Sequence, residues 1–180
     1  KARLYYEELL ASQQEDDSIA AKDLGDLYER YGAVLKDLGE NSAALSEFQK
    51  GFSIYESLAL AHPDIPKYKE SQLRTKLAMA RLLRNTGKYD ESHHILNETI
   101  HSYEQSIRDF PGHPKLIGDL IEAYWYLTHL LSSDLNLQKE ALSVCRKALS
   151  TGEQLVQDYP GVPAYEFSIG RLFAIQARIL

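Results

Sequence analysis

From Leu24 onward the apolar residues keep a helical rhythm, with Leu27, Tyr28, Tyr31, Val34, Leu35 and Leu38 spaced to share one helix face. Gly39 is a stop signal, and Asn41 or Ser42 stands where the next helix needs an N-cap. Leu45, Phe48, Phe52, Tyr55 and Leu58 carry a second helix as far as His62-Pro63. Valine and isoleucine nowhere alternate with polar residues over a strand's length, so the pattern predicts helices and no sheet.

The pattern then repeats. His62-Pro63-Asp64-Ile65-Pro66, Phe110-Pro111-Gly112-His113-Pro114 and Tyr159-Pro160-Gly161-Val162-Pro163 each hold two prolines three apart, and together they use all six prolines of the chain. The first prolines fall at 63, 111 and 160, in steps of 48 and 49. Pro66, Pro114 and Pro163 suit the first turn of a helix, where a missing N–H costs nothing, and the residue before each should be extended. At the same step Gly39 meets Gly87; Ala44 meets Ser92 and Ala141; Gly51 meets Thr99 and Ala148. Small residues at Gly32, Ala44, Ala80, Ser92 and Ala141 suit positions where two antiparallel helices cross closely. The third copy is irregular. It replaces the inter-helix glycine with Ser132-Ser133-Asp134-Leu135-Asn136 and is one residue longer.

The expected organisation is a single array: residues 1–16 the tail of a preceding repeat, 18–64, 65–112 and 113–161 three hairpins, and 162–180 the opening helix of another. Tyr6-Glu7 at the start matches Tyr55-Glu56 and Tyr103-Glu104, the tails of later second helices. A hairpin alone leaves one apolar face wet, so neighbours must stack to bury it.

Composition narrows the function. Hydrophobic residues make up 44% and charged ones 26%, a balance that fits a folded chain, and no apolar run is long enough to span a bilayer. Net charge is −6, which argues against wholesale nucleic-acid binding. Cys145, the single cysteine, excludes an internal disulfide and a multi-thiolate zinc cluster, and fits a reduced, cytoplasmic setting. It occupies the position of Phe48 and Leu96 in the other copies, so it reads as a buried small hydrophobe. No phosphate loop, His-Glu-x-x-His or nucleophile elbow is present, and the adjacent pairs Glu7-Glu8 and Asp16-Asp17 diverge on a helix, so no enzyme and no cofactor are expected. His94, Glu98 and His101, with His93 beside them, share one helix face and form a weak candidate metal set on what should be an outward helix.

Tyr31-Gly32, Leu38-Gly39, Ala44, Phe48 and Gly51, with Ala80, Gly87, Tyr89 and Ser92 in the next copy, resemble the tetratricopeptide repeat. The 48-residue step departs from the usual 34 of that family. The phrase Leu60-Ala61-His62-Pro63-Asp64-Ile65-Pro66-Lys67-Tyr68 looks like the long-period repeats beside bacterial serine/threonine kinase domains, notably in planctomycetes. The resemblance implies a right-handed α-α superhelix, a solenoid of antiparallel hairpins with seven or eight helices. It also implies a scaffold with a protein or peptide partner. A structural spacer, a segment that self-associates through its ends, or a regulatory module of a larger signalling protein such as a serine/threonine kinase is the alternative.

In that family the first helix of each hairpin lines a concave groove. Carried over, this places Asp26, Glu29, Ala33 and Lys36 in the groove from the first copy and Arg74, Leu77, Arg81, Arg84 and Asn85 from the second. Glu122, Trp125 and His129 follow from the third, and Arg171 and Arg178 from the last helix. Arginine forks grip carboxylate or phosphate at two points, and Trp125 would supply an apolar anchor, so an acidic or phosphorylated peptide is the expected ligand. Two plainer readings stand beside this. The arginines pair with Glu29 and Glu122 across adjacent helices, and Trp125 belongs to the core.

Overall fold

The computed structural model describes residues 2–13 and 21–180, with side chains from residue 3 to 8 and from 21 onward. Among these residues there are eight α-helices and no strand. The chain forms two compact units, Lys1–Thr86 and Gly87–Leu180. Asp16-Asp17 and the expected boundary between residues 16 and 18 lie outside the described residues.

The first unit holds α1 (Ala2–Gln13), α2 (Ala21–Asp37), α3 (Asn41–Ala61) and α4 (Pro66–Asn85), and each helix packs on the next. Its core joins Tyr31 and Leu35 of α2, Ala44 and Phe48 of α3, and Met79 and Leu82 of α4, with Tyr6 of α1 packed on the margin. Gly32 sits at a close approach of α2 and α3: a Cβ there would stand 2.9 Å from Phe48 Cδ1 and 3.2 Å from the Ala44 carbonyl oxygen. The crossing therefore depends on the missing side chain, as the small-residue pattern predicts.

The end of α2 follows from Gly39, whose φ of 81° is closed to most side chains. The Gly39 amide donates to the Lys36 carbonyl at 3.0 Å and the Glu40 amide to that of Leu35 at 2.9 Å, a Schellman pair that satisfies the last carbonyls. The expected cap at Asn41 or Ser42 is not found. Asn41 is already helical, and Glu40 takes the cap position with no side-chain capping bond. The Glu40 carboxylate is held instead by Arg3, at 2.6 Å.

The second unit holds α5 (Tyr89–Asp109), α6 (Pro114–His129), α7 (Gln138–Asp158) and α8 (Pro163–Ile179), again packed in sequence. Pro66, Pro114 and Pro163 occupy the first turns of α4, α6 and α8, and the preceding Ile65 (φ −103°, ψ 94°), His113 (φ −95°, ψ 89°) and Val162 (φ −98°, ψ 100°) are extended. The irregular third connection has a specific form. After α6 the chain widens into a π-helical turn, Leu130–Asp134, in which the Leu135 amide reaches the Leu130 carbonyl at 3.0 Å. A π turn takes up one residue more than an α turn. Asn136 then adopts φ 55°, the conformation that Gly39 and Gly87 supply elsewhere. No helix among the described residues is long and apolar enough to cross a membrane.

Candidate binding surface

Arg74 lies on α4 in the first unit, facing α2. Its Nε donates to Glu29 Oε1 at 3.1 Å and its Nη2 to Glu29 Oε2 at 2.9 Å, a two-point clamp, with Glu70 at 3.9 Å. Its hydrogen bonds to the Glu29 carboxylate push the guanidinium pKa above its ordinary value despite partial burial. Beside this clamp Asp26 accepts from Lys22 and from the Tyr55 hydroxyl. Burial opposes ionisation of Asp26, but these donors outweigh it and hold the carboxyl below its usual range. The groove between α2 and α4, about 290 Å³ and lined by Lys22, Arg30, Lys67 and Glu70 among others, is thus already neutralised over much of its floor. Leu77, expected on the groove, is a core side chain only 4% exposed. Arg81 and Asn85 are exposed and Arg84 is half-buried, and both arginines make contacts of their own.

The second unit gives a different arrangement. Trp125 and His129 lie one turn apart on α6, with ring centroids 5.5 Å apart, and Tyr126 meets Trp125 edge-on at 4.9 Å. The Arg171 guanidinium carbon on α8 lies 3.7 Å from the centre of the Trp125 ring and 5.9 Å from that of Phe167, which is 68% exposed. Farther along α8, Arg178 Nη2 touches Ser133 Oγ at 3.5 Å. Among the described residues neither Arg171 nor Arg178 is ion-paired. Stacking on the indole fixes the guanidinium plane and leaves its N–H edges for an oxyanion. Trp125, His129 and Arg171 therefore do come together. Phe167 was missed by the sequence, although its place four residues before Arg171 puts both on one helix side.

A recurrent polar contact was also missed. Glu7, Glu56 and Glu104, on α1, α3 and α5, each accept a hydrogen bond from the helix that follows: from Tyr31 Oη at 3.0 Å, Gln72 Nε2 at 3.3 Å and Tyr124 Oη at 2.5 Å. The repeated Tyr-Glu dipeptide was the available signal. The metal candidates do not converge. His94 contacts Glu98 at 3.3 Å, His101 bonds Gln105 at 2.9 Å, and no three metal-ligating side chains gather among the described residues. Cys145 is fully buried, its thiol 3.5 Å from the Leu172 carbonyl, and burial pushes its pKa up, away from a nucleophile's.

Comparison with solved structures shows what this arrangement is similar to. A kinesin-light-chain-like protein of Podosopora anserina, with nearly identical tetratricopeptide-like repeats, aligns over 98% of this chain and 86% of its own, at 16% identity and a TM-score of 0.50. A point variant of it aligns over the same shares, also at 16% identity, with a TM-score of 0.51. The fold is a tetratricopeptide-like helical repeat. No protein-family model matches the chain, and no curated protein matches it. At this identity the likeness speaks for the tetratricopeptide-like fold alone, and the surfaces above carry the functional argument.

Proposed function

We propose that this tetratricopeptide-like chain is a non-catalytic protein-interaction scaffold that binds an acidic or phosphorylated peptide on the α6–α8 face of its second unit. One observation carries this reading: Arg171 is stacked on Trp125 with no carboxylate partner among the described residues, whereas Arg74 is consumed by Glu29. Trp125 supplies an apolar anchor next to a fixed guanidinium, the pairing that interface hot spots favour. The helical-repeat fold supports it, because such folds offer stacked helix faces for docking.

The test is a binding titration of fluorescent acidic and phosphorylated peptides by anisotropy, on the wild-type chain and on Arg171→Gln. The expected result is a loss of affinity of about tenfold or more, since a charged two-point contact contributes at least ~1.4 kcal/mol. Helix content by circular dichroism should not change. Equal affinity for both proteins would remove Arg171 from the site, and the reading with it.

A further inference from the structure

The side of α8 turned away from Arg171 repeats the residues with which α2 receives α3. Three repeat steps carry Gly25, Tyr28, Gly32 and Leu35 of α2 onto Gly170, Phe173, Ala177 and Leu180 of α8. At about 100° per residue these four share one side of the helix. In the first unit that side is covered. Gly25, Gly32 and Leu35 are buried, and a Cβ on Gly25 would stand 3.0 Å from Tyr55 Cε1 and 3.4 Å from Ile54 Cγ2 of α3. On α8 the same side is open. Phe173 is 48% and Leu180 83% exposed, where their counterparts one step earlier, Tyr124 and Leu131, are 2% and 3% exposed. A Cβ on Gly170 would meet nothing within 4 Å. Large apolar side chains exposed together on one side mark a docking surface.

Within each unit, large and small residues complement one another across this contact. Gly25 on the first helix of a hairpin faces Tyr55 on the second, and Ile121 faces Gly152, whose Cβ would stand 3.6 Å from Ile121 Cδ1. Gly170 therefore leaves room for a tyrosine. α1 carries one in the matching place: Tyr6 stands one step before Tyr55, and Tyr5 one step before Ile54. α1 is also seated as a second helix is, because Glu7 accepts from Tyr31 of α2 as Glu104 accepts from Tyr124 of α6. Tyr5 is left 60% exposed, at the position where α3 turns Ile54 toward Gly25. We infer that α8 of one copy receives α1 of a second copy, with Tyr5 and Tyr6 entering the space over Gly170. The two faces differ, so the contact is heterologous, and each pair keeps one face of each kind for further copies.

Sedimentation equilibrium of the wild-type chain, from about 1 µM to about 1 mM, should show the mean mass rising above that of one chain. Phe173→Glu on α8 and Tyr5→Glu on α1 both change exposed positions, so helix content by circular dichroism should hold. Each variant alone should stay a single chain across the whole range. Mixed in equal amounts they should pair one to one, because each supplies the face that the other has lost. A wild-type chain that stays single throughout would overturn the inference. So would association of Tyr5→Glu alone, which would mean that α8 meets α8, and so would a mixture that fails to pair.

Discussion

Glu104 takes one donor from each of the two helices that follow α5, Tyr124 Oη at 2.5 Å and Lys147 Nζ at 2.6 Å. Burial raises the cost of its charge, yet the two hydrogen bonds outweigh that cost and hold the carboxyl below 4.5. The same contact, together with burial, pushes the Tyr124 hydroxyl up to about 12. A depressed carboxyl stabilises the fold above its unfolded pKa, and that contribution disappears as pH falls through the folded value. Wild type should therefore be more stable than Glu104→Gln at neutral pH, with the gap closing as the pH falls below the ordinary glutamate range and through the lowered folded value. Urea denaturation of both proteins across that range checks it, and a gap independent of pH would show that the charge is not what matters. The candidate binding residues were legible to unequal degrees at this scale. Helical spacing was enough to put Trp125 and His129 on one face. The pairing of Arg74 with Glu29, 45 residues away, stood among the sequence readings as an open alternative that no local pattern could decide, whereas nothing local could reveal that Leu77, on the same helix, turns into the core.

Among the helices and their connections, glycine and proline made the sequence readable. Gly39 closes α2 because a left-handed residue is needed there, and each junction proline opens a helix because its first turn can spare an N–H. The N-cap was not readable, since Asn41 and Ser42 have the right chemistry one residue too late and Glu40 is held by Arg3. The third connection was legible as an irregularity and not as a π turn. Asn136 is its test, because asparagine tolerates φ 55° better than any residue branched at or beyond Cβ without a local hydrogen-bonding group. Asn136→Gly should be close to neutral, while Asn136→Val should cost about 1–2 kcal/mol for forcing a β-branched residue into the left-handed region. Chemical denaturation of the pair reads the difference directly, and equal midpoints would mean that the turn relaxes to another conformation.

For the whole molecule, the two units are each built on a core of their own, with Leu35 fully packed in the first and Leu155 in the second. Helical-repeat stability is roughly a sum of local terms, so a cavity should be felt most where it is made. Leu155→Ala, expected to cost about 2–5 kcal/mol, should lower amide protection in α7 and α8 far more than in α2 and α3. Hydrogen exchange with mass spectrometry resolves this, and a uniform loss across the chain would show one cooperative block. The overall helical class was evident from the start because periodicity is a property of each segment. The division at Thr86 was not, because it follows from packing between distant residues.

The π turn also sets a rule for anyone who compares or redesigns these repeats. A ruler of fixed 48-residue pitch, laid from the buried Leu96, lands on Val144, which is only partly covered; the fully buried residue is Cys145. One residue of phase error turns a helix by about 100°, enough to swap a core position for a surface one. A consensus drawn from these copies must therefore change phase at residues 130–134, or it will write surface residues into the interior of α7.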